Sequence, residues 1–248
     1  MASRSVARTD TAGRVRLLLR LAGLLAALVV AVPIHLLWRL FRLPSPWPRL
    51  FLALAARIIG ARRDLIGSPL RRDVVFVSNH LSWIDIPIIA GATGSAFVAT
   101  SDLRAAPLIG WLCTLNRTIF VQREDRLGVK GQIDQLRAAF AEGWTITIFP
   151  EGTTGDGVAP LPFKAPLLAA LDPPPPGVRV QPVRIDYGAA TPEIAWIDES
   201  GPDHAKRVLM RRGDFVATLR FLDPFDPREY PGRKSIAAEV RRRIAQSW

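Results

Sequence analysis

Cysteine, methionine, tyrosine and histidine are all scarce in this chain. Its 248 residues include one cysteine, Cys113, two methionines, two tyrosines and three histidines. A single thiol excludes an internal disulfide framework and fits a reducing compartment. Cys113 lies in an apolar run, which favours a small buried side chain over a reactive thiol. Because no set of cysteine, histidine and carboxylate side chains has the spacing of metal ligands, we predict no metal site.

Two catalytic signatures are also absent. The sequence contains no Gly-x-Ser-x-Gly segment, and its one cysteine is not near His80 in the sequence. No protein nucleophile is therefore evident. No Gly-Lys-Ser/Thr follows its glycine-containing turns, which excludes a Walker nucleotide-binding loop. If the protein uses a general base, its substrate is therefore expected to bring the nucleophile.

The positive charge of the chain is concentrated in its first third. The formal net charge is +11. Residues 1–72 hold 13 arginines and two aspartates, whereas residues 73–248 hold 20 basic and 20 acidic residues. The basic character is thus a property of the N-terminal segment and not of the whole protein.

The same N-terminal segment is the most apolar part of the chain. Residues 21–38 carry no charged side chain and, as a helix, would span about 27 Å, the lower limit for crossing a bilayer. Residues 45–63 are apolar with arginines spaced through them, which is typical of a helix in the lipid headgroup layer. We predict that residues 1–68 are membrane-anchoring helices, either crossing the membrane or lying in it.

Two other interpretations of this segment are weaker. A secretory signal peptide is disfavoured because the apolar run is long and no small-x-small cleavage site precedes a polar start. Nucleic-acid binding is disfavoured because the arginines alternate with aliphatic side chains and not with stacking aromatics. No nucleic-acid partner is therefore predicted.

The remainder, residues 69–248, has the pattern of an α/β domain. Short apolar runs alternate with helical segments, which predicts a mixed sheet flanked by helices. Because the later strands follow one another without long helices, part of the sheet is expected to be antiparallel. The predicted strands are residues 74–77, 96–99, 118–122, 145–149, 179–185, 193–197 and 214–221. The predicted helices are residues 84–90, 103–115, 127–142, 163–171 and 234–246.

One histidine stands where an α/β protein presents functional groups. His80 directly follows a predicted strand, and Asp85 comes five residues later. On a straight helix or strand that spacing would point the two side chains apart, so they can meet only across a strand–turn–helix corner. There His80 could take a proton from a hydroxyl while Asp85 orients its ring. Alternatively, Ser82 and Asp85 form a capping box for the following helix.

The other two histidines are given no role. His35 lies in the apolar N-terminal run, and His204 lies in a segment that we predict to be a charged loop.

Two further strands end in polar residues. Thr145–Phe149 is followed by Pro150 and then Glu-Gly-Thr-Thr-Gly, in which glycines and threonines could approach an anion. Glu151 itself is expected to accept a hydrogen bond from a substrate hydroxyl or to steady an arginine, and the whole segment could equally be a plain turn. Phe120 and Arg123 end another strand. Arg123 could bind a phosphate, or it could pair with a neighbouring carboxylate.

These blocks, in this order, resemble the glycerolipid acyltransferases, in particular the 1-acylglycerol-3-phosphate (lysophosphatidate) acyltransferase family. The family motif Asn-His-x4-Asp is present at residues 79–85, Phe-x-x-Arg at 120–123 and Phe-Pro-Glu-Gly-Thr at 149–153. The family's fourth motif, a Val-Pro-Val-like strand, is similar to residues 180–183. Phe163 and Lys164 are similar to the Phe-Lys that follows the third motif in relatives. The resemblance covers about residues 70–190.

The resemblance implies a function and a set of site residues. His80 would be the general base and Asp85 its orienting partner, and the reaction would transfer a fatty acyl group from acyl-CoA or acyl-carrier protein to lysophosphatidate. No cofactor is implied beyond these co-substrates, and the protein would lie on the cytoplasmic face of the membrane where the donors occur. The residues that would bind the substrate are Asn79, Phe120, Arg123, Glu151, Gly152, Thr153 and Lys164.

One departure from the family pattern bears on the acceptor. Thr100 occupies a position where relatives often carry a lysine, so the acceptor could instead be another lysolipid, such as a lyso-ornithine lipid. Lys164 or Arg104 could also supply the missing charge. A lipid-binding protein without activity and a hydrolase remain alternatives, although the intact His80/Asp85 spacing favours a transferase.

Overall fold

A computed structural model describes residues 10–105, 107–121 and 129–248 of the chain. The first helices are α1 (Thr11–Leu40) and α2 (Trp47–Ile59), and they precede an α/β body. The further helices are α3 (Asp85–Thr93), α4 (Ser101–Ala105), α5 (Pro107–Leu115), α6 (Val129–Ala141), α7 (Thr191–Ile194), α8 (Gly201–Met210) and α9 (Arg233–Gln246). The strands are β1 (Ala61–Ile66), β2 (Val74–Ser78), β3 (Ala96–Thr100), β4 (Ile119–Val121), β5 (Ile146–Ile148), β6 (Arg179–Asp186) and β7 (Phe215–Phe221).

The strands form one mixed sheet in the order β1-β7-β6-β2-β5-β3-β4. The run from β6 to β4 is parallel, whereas β7 pairs with β6 in the antiparallel sense and β1 is parallel to β7. Every residue of β2 is buried, as expected for a strand covered on both faces. The five parallel strands consequently point their carboxyl ends toward the same edge of the sheet.

Helices cover both faces of the sheet and create two apolar cores. One core joins the sheet to α2, α3 and α8, and includes Phe76, Ile88 and Val208. The other joins it to α6 and α9, and includes Leu136 and Val240. The protein therefore has three layers, with the sheet in the middle.

Helix α1 lies along the α/β body and is attached near its start. Asp10 caps the helix by accepting a hydrogen bond from the Gly13 amide. The Arg16 guanidinium donates to the Met210 carbonyl, and the Arg20 guanidinium donates to the carbonyls of four residues at and just beyond the end of α8. Cations favour the carboxyl end of a helix because its last carbonyls lack helical partners.

The opposite face of α1 is apolar and exposed. Leu18, Leu19, Leu25 and Val29 are each more than 60% exposed. Within the part of the chain that the structure describes, α1 is the one helix whose length and hydropathy would suffice to cross a membrane.

The predicted fold class is confirmed, and several predicted elements need correction. Residues 193–197 are not a strand, because Thr191 and Pro192 begin the short helix α7. The predicted helix 103–115 is divided into α4 and α5, and within residues 163–171 only a 3-10 helix forms at Pro166–Leu171. The predicted helix 127–142 corresponds to α6, and its first two residues lie outside the described part of the chain.

Two elements were not expected from the sequence. Helix α8 forms where a charged loop was predicted, and β1 forms inside the segment assigned to the membrane helices. The arginines of β1 concealed its strand pattern, since five of its six residues are exposed. The division of the chain into domains at residue 68 stays a prediction, but Ala61–Ile66 pairs with β7 and so belongs to the sheet.

Replacement of Arg20 should loosen α1 from the body. In Arg20→Met, several charge-assisted hydrogen bonds to the end of α8 are lost, and such bonds contribute roughly 1.5–3 kcal/mol each before compensation by water. We expect a thermal unfolding midpoint lower by about 4–8 °C in detergent. Arg14→Met, which removes an exposed arginine of the same helix, is the control. Equal midpoints for the two variants would contradict this account of how α1 is attached.

Candidate active site

The chain turns sharply between His80 and Asp85. Strand β2 ends at Ser78, a short loop follows, and α3 begins at Asp85. The turn brings the His80 Nδ1 atom within 2.8 Å of Asp85 Oδ2. The pair lies at the edge where the parallel strands end, which is where α/β proteins bind ligands. The expected contact of these two side chains across a strand–turn–helix corner is confirmed.

The Asp85 carboxylate is fully buried and is surrounded by donors. Its Oδ2 atom accepts hydrogen bonds from the backbone amides of Leu81 at 2.7 Å and Ser82 at 3.0 Å, in addition to the bond from His80. Its Oδ1 atom accepts a hydrogen bond from the Tyr187 hydroxyl. Burial and the negative charge of Asp85 raise the pKa of Tyr187 well above its usual range, so the phenol keeps its proton and donates. Two backbone amides and the phenol, whose donor roles do not depend on the His80 tautomer, favour a carboxylate that only accepts.

An ionised Asp85 fixes the state of His80. The carboxylate can only accept, so Nδ1 of His80 must carry a proton and Nε2 is left as the basic nitrogen. The imidazole also stacks on the Phe149 ring, with centroids 4.1 Å apart and planes inclined by 15°. Its side chain is 18% exposed, whereas Asp85 is not exposed at all. His80 is therefore held in one orientation and remains reachable from outside.

The alternative interpretation, a capping box of Ser82 and Asp85, is wrong, because the N-cap residue of α3 is Ile84 and no side chain caps this helix. Asp85 does accept the Ser82 amide, which is one arm of a capping box. The Ser82 hydroxyl, which would form the other arm, has no hydrogen-bond partner among the described residues. The Asp85 carboxylate therefore binds amides of the loop before α3, together with the His80 ring, and does not cap the helix.

Glu151 is buried and binds backbone amides. Its Oε2 atom accepts from the His80 amide at 2.8 Å, and its Oε1 atom accepts from the Leu161 amide at 2.9 Å. Burial raises the pKa of Glu151 to about 7, although the two amide donors oppose this rise. The expected bond from Glu151 to a substrate hydroxyl stays a prediction. Its present contacts position the backbone of His80.

Asn79 is similarly occupied within the protein. Its side-chain amide donates to the Ile185 carbonyl at 3.0 Å and accepts from the Ile185 amide at 2.9 Å. These two bonds extend the pairing of β2 with β6 beyond the end of β2. The expected contact of Asn79 with substrate stays a prediction, whereas its link between the two strand ends is observed.

Gly152 and Lys164 lie together beside this corner. Gly152 has a φ of +68°, a conformation that favours glycine. A Cβ atom built on Gly152 would lie 3.4 Å from Lys164 Nζ, so the lysine side chain crosses directly over the glycine. Thr153 is exposed next to them. The predicted binding of a substrate headgroup by Gly152, Thr153 and Lys164 stays a prediction.

Of the remaining predicted residues, Phe120 and Thr100 lie on the neighbouring strands β4 and β3. Phe120 lies in β4 with the Arg104 guanidinium 5.6 Å from its ring centroid. Thr100 ends β3 and pairs with Val121 of β4, so it lies at the same edge of the sheet as His80. Arg123 lies outside the described residues.

His35 and His204 are both buried, and each has a hydrogen-bond partner. His204 was expected in a loop but is buried in α8, where it accepts a hydrogen bond from Trp83 Nε1 at 2.9 Å and contacts the Ile194 carbonyl. His35 is 2.7 Å from the Ser45 hydroxyl. Among the residues described, no group of three histidine, cysteine or carboxylate side chains is arranged to hold a metal ion.

Tyr187 and Phe149 complete the site, and the sequence reasoning gave neither a role. Tyr187 follows β6 at the carboxyl edge of the sheet, and that position is the signal that could have identified it. Phe149 was recognised only as part of a motif, and its stacking on His80 depends on the parallel pairing of β2 with β5.

Comparison with known proteins agrees with this geometry. Residues 63–186 match the acyltransferase family, and this range contains the described site residues apart from Tyr187. The contact of His80 with Asp85, at the carboxyl edge of the mixed sheet, lies within this matched range. The chain belongs to the acyltransferase family.

Particular relatives are similar over most of the chain. A lyso-ornithine lipid O-acyltransferase from Rhodobacter capsulatus is 32% identical, covering 92% of this chain and 88% of its own length. The enzyme of the same name from Rhizobium meliloti is 30% identical over 90% and 83% of the two chains. A 1-acyl-sn-glycerol-3-phosphate acyltransferase from Neisseria gonorrhoeae is 30% identical over 78% of each.

A solved structure shares the fold. The 1-acyl-sn-glycerophosphate acyltransferase from Thermotoga maritima superposes with a TM-score of 0.69 and covers 96% of both chains at 23% identity. The mixed sheet and the flanking helices, including the long apolar helix at the start, are therefore an architecture already known from a solved acyltransferase.

Tyr187→Phe tests whether the phenol positions the base. Removing the hydroxyl leaves the buried Asp85 Oδ1 without that donor, so we expect stability to fall by about 1–3 kcal/mol. Because the carboxylate orients His80 without touching substrate, kcat should fall while KM for the acceptor changes little.

Tyr230→Phe is the matched control, since Tyr230 donates to the Glu239 carboxylate away from the site. It should lose some stability and keep its kcat. If both variants kept full kcat, the positioning role of Tyr187 would be wrong.

Proposed function

We propose that the protein transfers a fatty acyl group from an acyl thioester to the hydroxyl of a lysolipid. Nε2 of His80 removes the hydroxyl proton, and the resulting oxygen attacks the thioester carbonyl carbon. The tetrahedral intermediate then collapses, the carbon–sulfur bond breaks, and the thiol leaves with the proton that His80 had taken. The observation that carries this proposal is the His80 imidazole, whose Nδ1 is held by an ionised, buried Asp85.

Direct attack by the acceptor fits the surroundings of His80. Among the described residues, no serine, threonine or cysteine side chain is hydrogen-bonded to the imidazole, so no protein nucleophile is paired with the base. An acyl-enzyme intermediate is therefore not required. The donor would be acyl-CoA or acyl-carrier protein, and no further cofactor takes part.

The acceptor that the observations favour is a lyso-ornithine lipid. Three of the relatives with that name align over 83–93% of their own length at 30–32% identity and a fourth over 68% at 33%, whereas the glycerophosphate enzyme from Neisseria gonorrhoeae aligns over 78% at 30%. Thr100 also lacks the ammonium that could hold a terminal phosphate. An ornithine headgroup carries a carboxylate, which Lys164 could bind beside Gly152. Lysophosphatidate is the second candidate, supported by the named relatives that use glycerol phosphate.

We further propose that α1 and α2 lie in one membrane leaflet at the cytoplasmic face. Arg16 and Arg20 attach the start of α1 to α8, and Gly23 packs against Ile58 of α2. Near the end of α1, His35 contacts Ser45. A helix held along this much of its length presents only its outer, apolar face to lipid. Acceptor and product are lipids, so an enzyme of this kind must work at a membrane surface.

His80→Ala tests the chemistry. Loss of a general base should lower the rate of acyl transfer by about 10²–10⁴-fold. The assay supplies labelled acyl-CoA and lyso-ornithine lipid to the detergent-solubilised protein. Thermal unfolding of the variant, compared with the wild type, controls for folding.

Two outcomes would contradict the mechanism. Unchanged transfer by a folded His80→Ala protein would exclude His80 as the base. Release of free fatty acid without acylated lipid by the wild type would indicate a hydrolase instead.

Thr100→Lys tests the acceptor. The wild type should acylate lyso-ornithine lipid faster than lysophosphatidate, and Thr100→Lys should raise kcat/KM for lysophosphatidate because an ammonium is placed at the carboxyl edge of β3. Thr100→Gln, which adds length without charge, is the control. Equal or greater use of lysophosphatidate by the wild type would identify phosphatidate as the product.

A further inference from the structure

A cavity lined by arginines lies apart from the active site, between α2 and the edge strand β1. Its volume is about 540 Å³, and the carboxyl end of α3 and the segment that follows β1 complete its walls. Gly91 and Ala92 line it, whereas Asp85 lies at the other end of α3. Five arginines line this cavity, which we call the arginine groove: Arg49, Arg57, Arg62, Arg63 and Arg71.

The positive charge in the groove exceeds the negative charge that faces it. Arg57 and Arg62 share one carboxylate oxygen of Asp214, at 2.8 and 2.9 Å. Arg49 donates to the Gly91 and Ala92 carbonyls at the end of α3. Within the described ranges, no carboxylate lies within ion-pair distance of Arg49, Arg63 or Arg71. Three guanidinium groups are thus without an anion.

One of these groups is in an unfavourable environment for a cation. Arg63 belongs to the exposed strand β1, yet partial loss of solvent around its guanidinium group lowers its pKa, and the positive charge of Arg49 lowers it further. A bound anion between the two guanidinium groups would relieve this repulsion. Guanidinium groups bind phosphate oxygens in a forked geometry, which makes a phosphate the anion that suits the groove best.

Arginines from both α2 and β1 point into the groove, and protection of the sheet edge explains only those on β1. Charged side chains on β1 could by themselves prevent pairing with another chain. That explanation does not cover Arg49 and Arg57, which lie on the same side of α2 as Ala53 and point into the same cavity.

The surroundings of the groove indicate where the phosphate comes from. Leu65 lines the groove and is about half exposed, as are Leu50 and Leu54 of α2, the helix that carries Arg49 and Arg57. Leu18 and Leu25 of α1, the helix that packs against α2 at Gly23 and Ile58, are exposed as well. A phosphate with acyl chains attached satisfies both the charge and the apolar surface, whereas a free phosphate or a nucleotide satisfies only the charge.

We propose that the arginine groove binds the phosphate of an anionic phospholipid, at a site separate from the one where the lysolipid is acylated. The bound lipid would fix the depth and orientation of α2 at the membrane surface. This site is independent of the acceptor's identity, since none of the motif residues lines it.

The test uses binding and not catalysis. The full-length protein in a neutral detergent is titrated with dihexanoyl phosphatidylglycerol, dihexanoyl phosphatidylcholine or inorganic phosphate, and the thermal unfolding midpoint is measured. We expect phosphatidylglycerol to raise the midpoint at concentrations where the other two do not. In Arg63→Gln/Arg71→Gln, the concentration needed for this rise should increase about 10- to 30-fold.

A charge-matched variant separates the groove from net charge. Arg14→Gln/Arg212→Gln also removes two exposed arginines, but neither lines the groove, so this variant should respond as the wild type does. The single variant Arg71→Gln, at an exposed position, is used if the double variant has a lowered midpoint without lipid. Acyl transfer by the groove variants in detergent should match the wild type, so failure of this proposal is distinguishable from failure of the proposed function.

Three results would overturn the proposal. Equal responses of the groove variant and the charge-matched variant would reduce the effect to general electrostatics. An equal rise with inorganic phosphate would mean that the groove recognises a free anion and no lipid. A raised KM for acyl-CoA or acyl-carrier protein in the groove variant, with the phosphatidylglycerol response intact, would assign the groove to the donor.

Discussion

The buried carboxylate of Asp85 is the interaction on which the rest of the site depends. An unpaired ion at this depth would cost several kcal/mol, and only its hydrogen bonds make the buried charge tolerable. Those bonds come from three places: the turn after β2, the His80 ring and the Tyr187 hydroxyl beyond β6. The carboxylate therefore fixes the path of the corner and the tautomer of the base at the same time. A mutation at any of its donors affects both stability and chemistry.

The same principle recurs around the catalytic edge. Glu151 binds the His80 and Leu161 amides, and Asn79 binds both backbone groups of Ile185. Each polar side chain joins the end of one strand or its loop to a neighbour, where regular sheet pairing has stopped. Side chains that seem from sequence to be ligands for substrate thus complete the backbone hydrogen bonding at the strand ends. The His80 imidazole is held in place because the backbone of His80 is itself hydrogen-bonded to Glu151.

The contact of His80 with Asp85 could be predicted from the sequence, but not every group that supports it. His80 and Asp85 are near in sequence, and a strand–turn–helix pattern was enough to predict their contact. Tyr187 is 102 positions from Asp85 and reaches it only because β6 pairs with β2, a register that no local pattern reveals. Strand β1 was missed for a related reason, since an exposed edge strand lacks the apolar alternation that identifies strands. His204 was misplaced because the charged neighbours that suggested a loop form the outer side of α8.

The N-terminal helices and the corner that holds His80 and Asp85 are packed together through α3. Helix α3 carries Asp85 in its first turn, and seven residues of this helix are buried. Near its other end, a Cβ atom on Gly91 would lie 2.7 Å from the Ala53 Cα atom, so α3 packs against α2 without space for a side chain. Any tilt of α2 at a lipid surface would therefore be transmitted along about 10 Å of rigid helix to the carboxylate that orients His80. The close packing of α3 against α2 is thus the feature of the fold that links the N-terminal helices to the contact of His80 with Asp85.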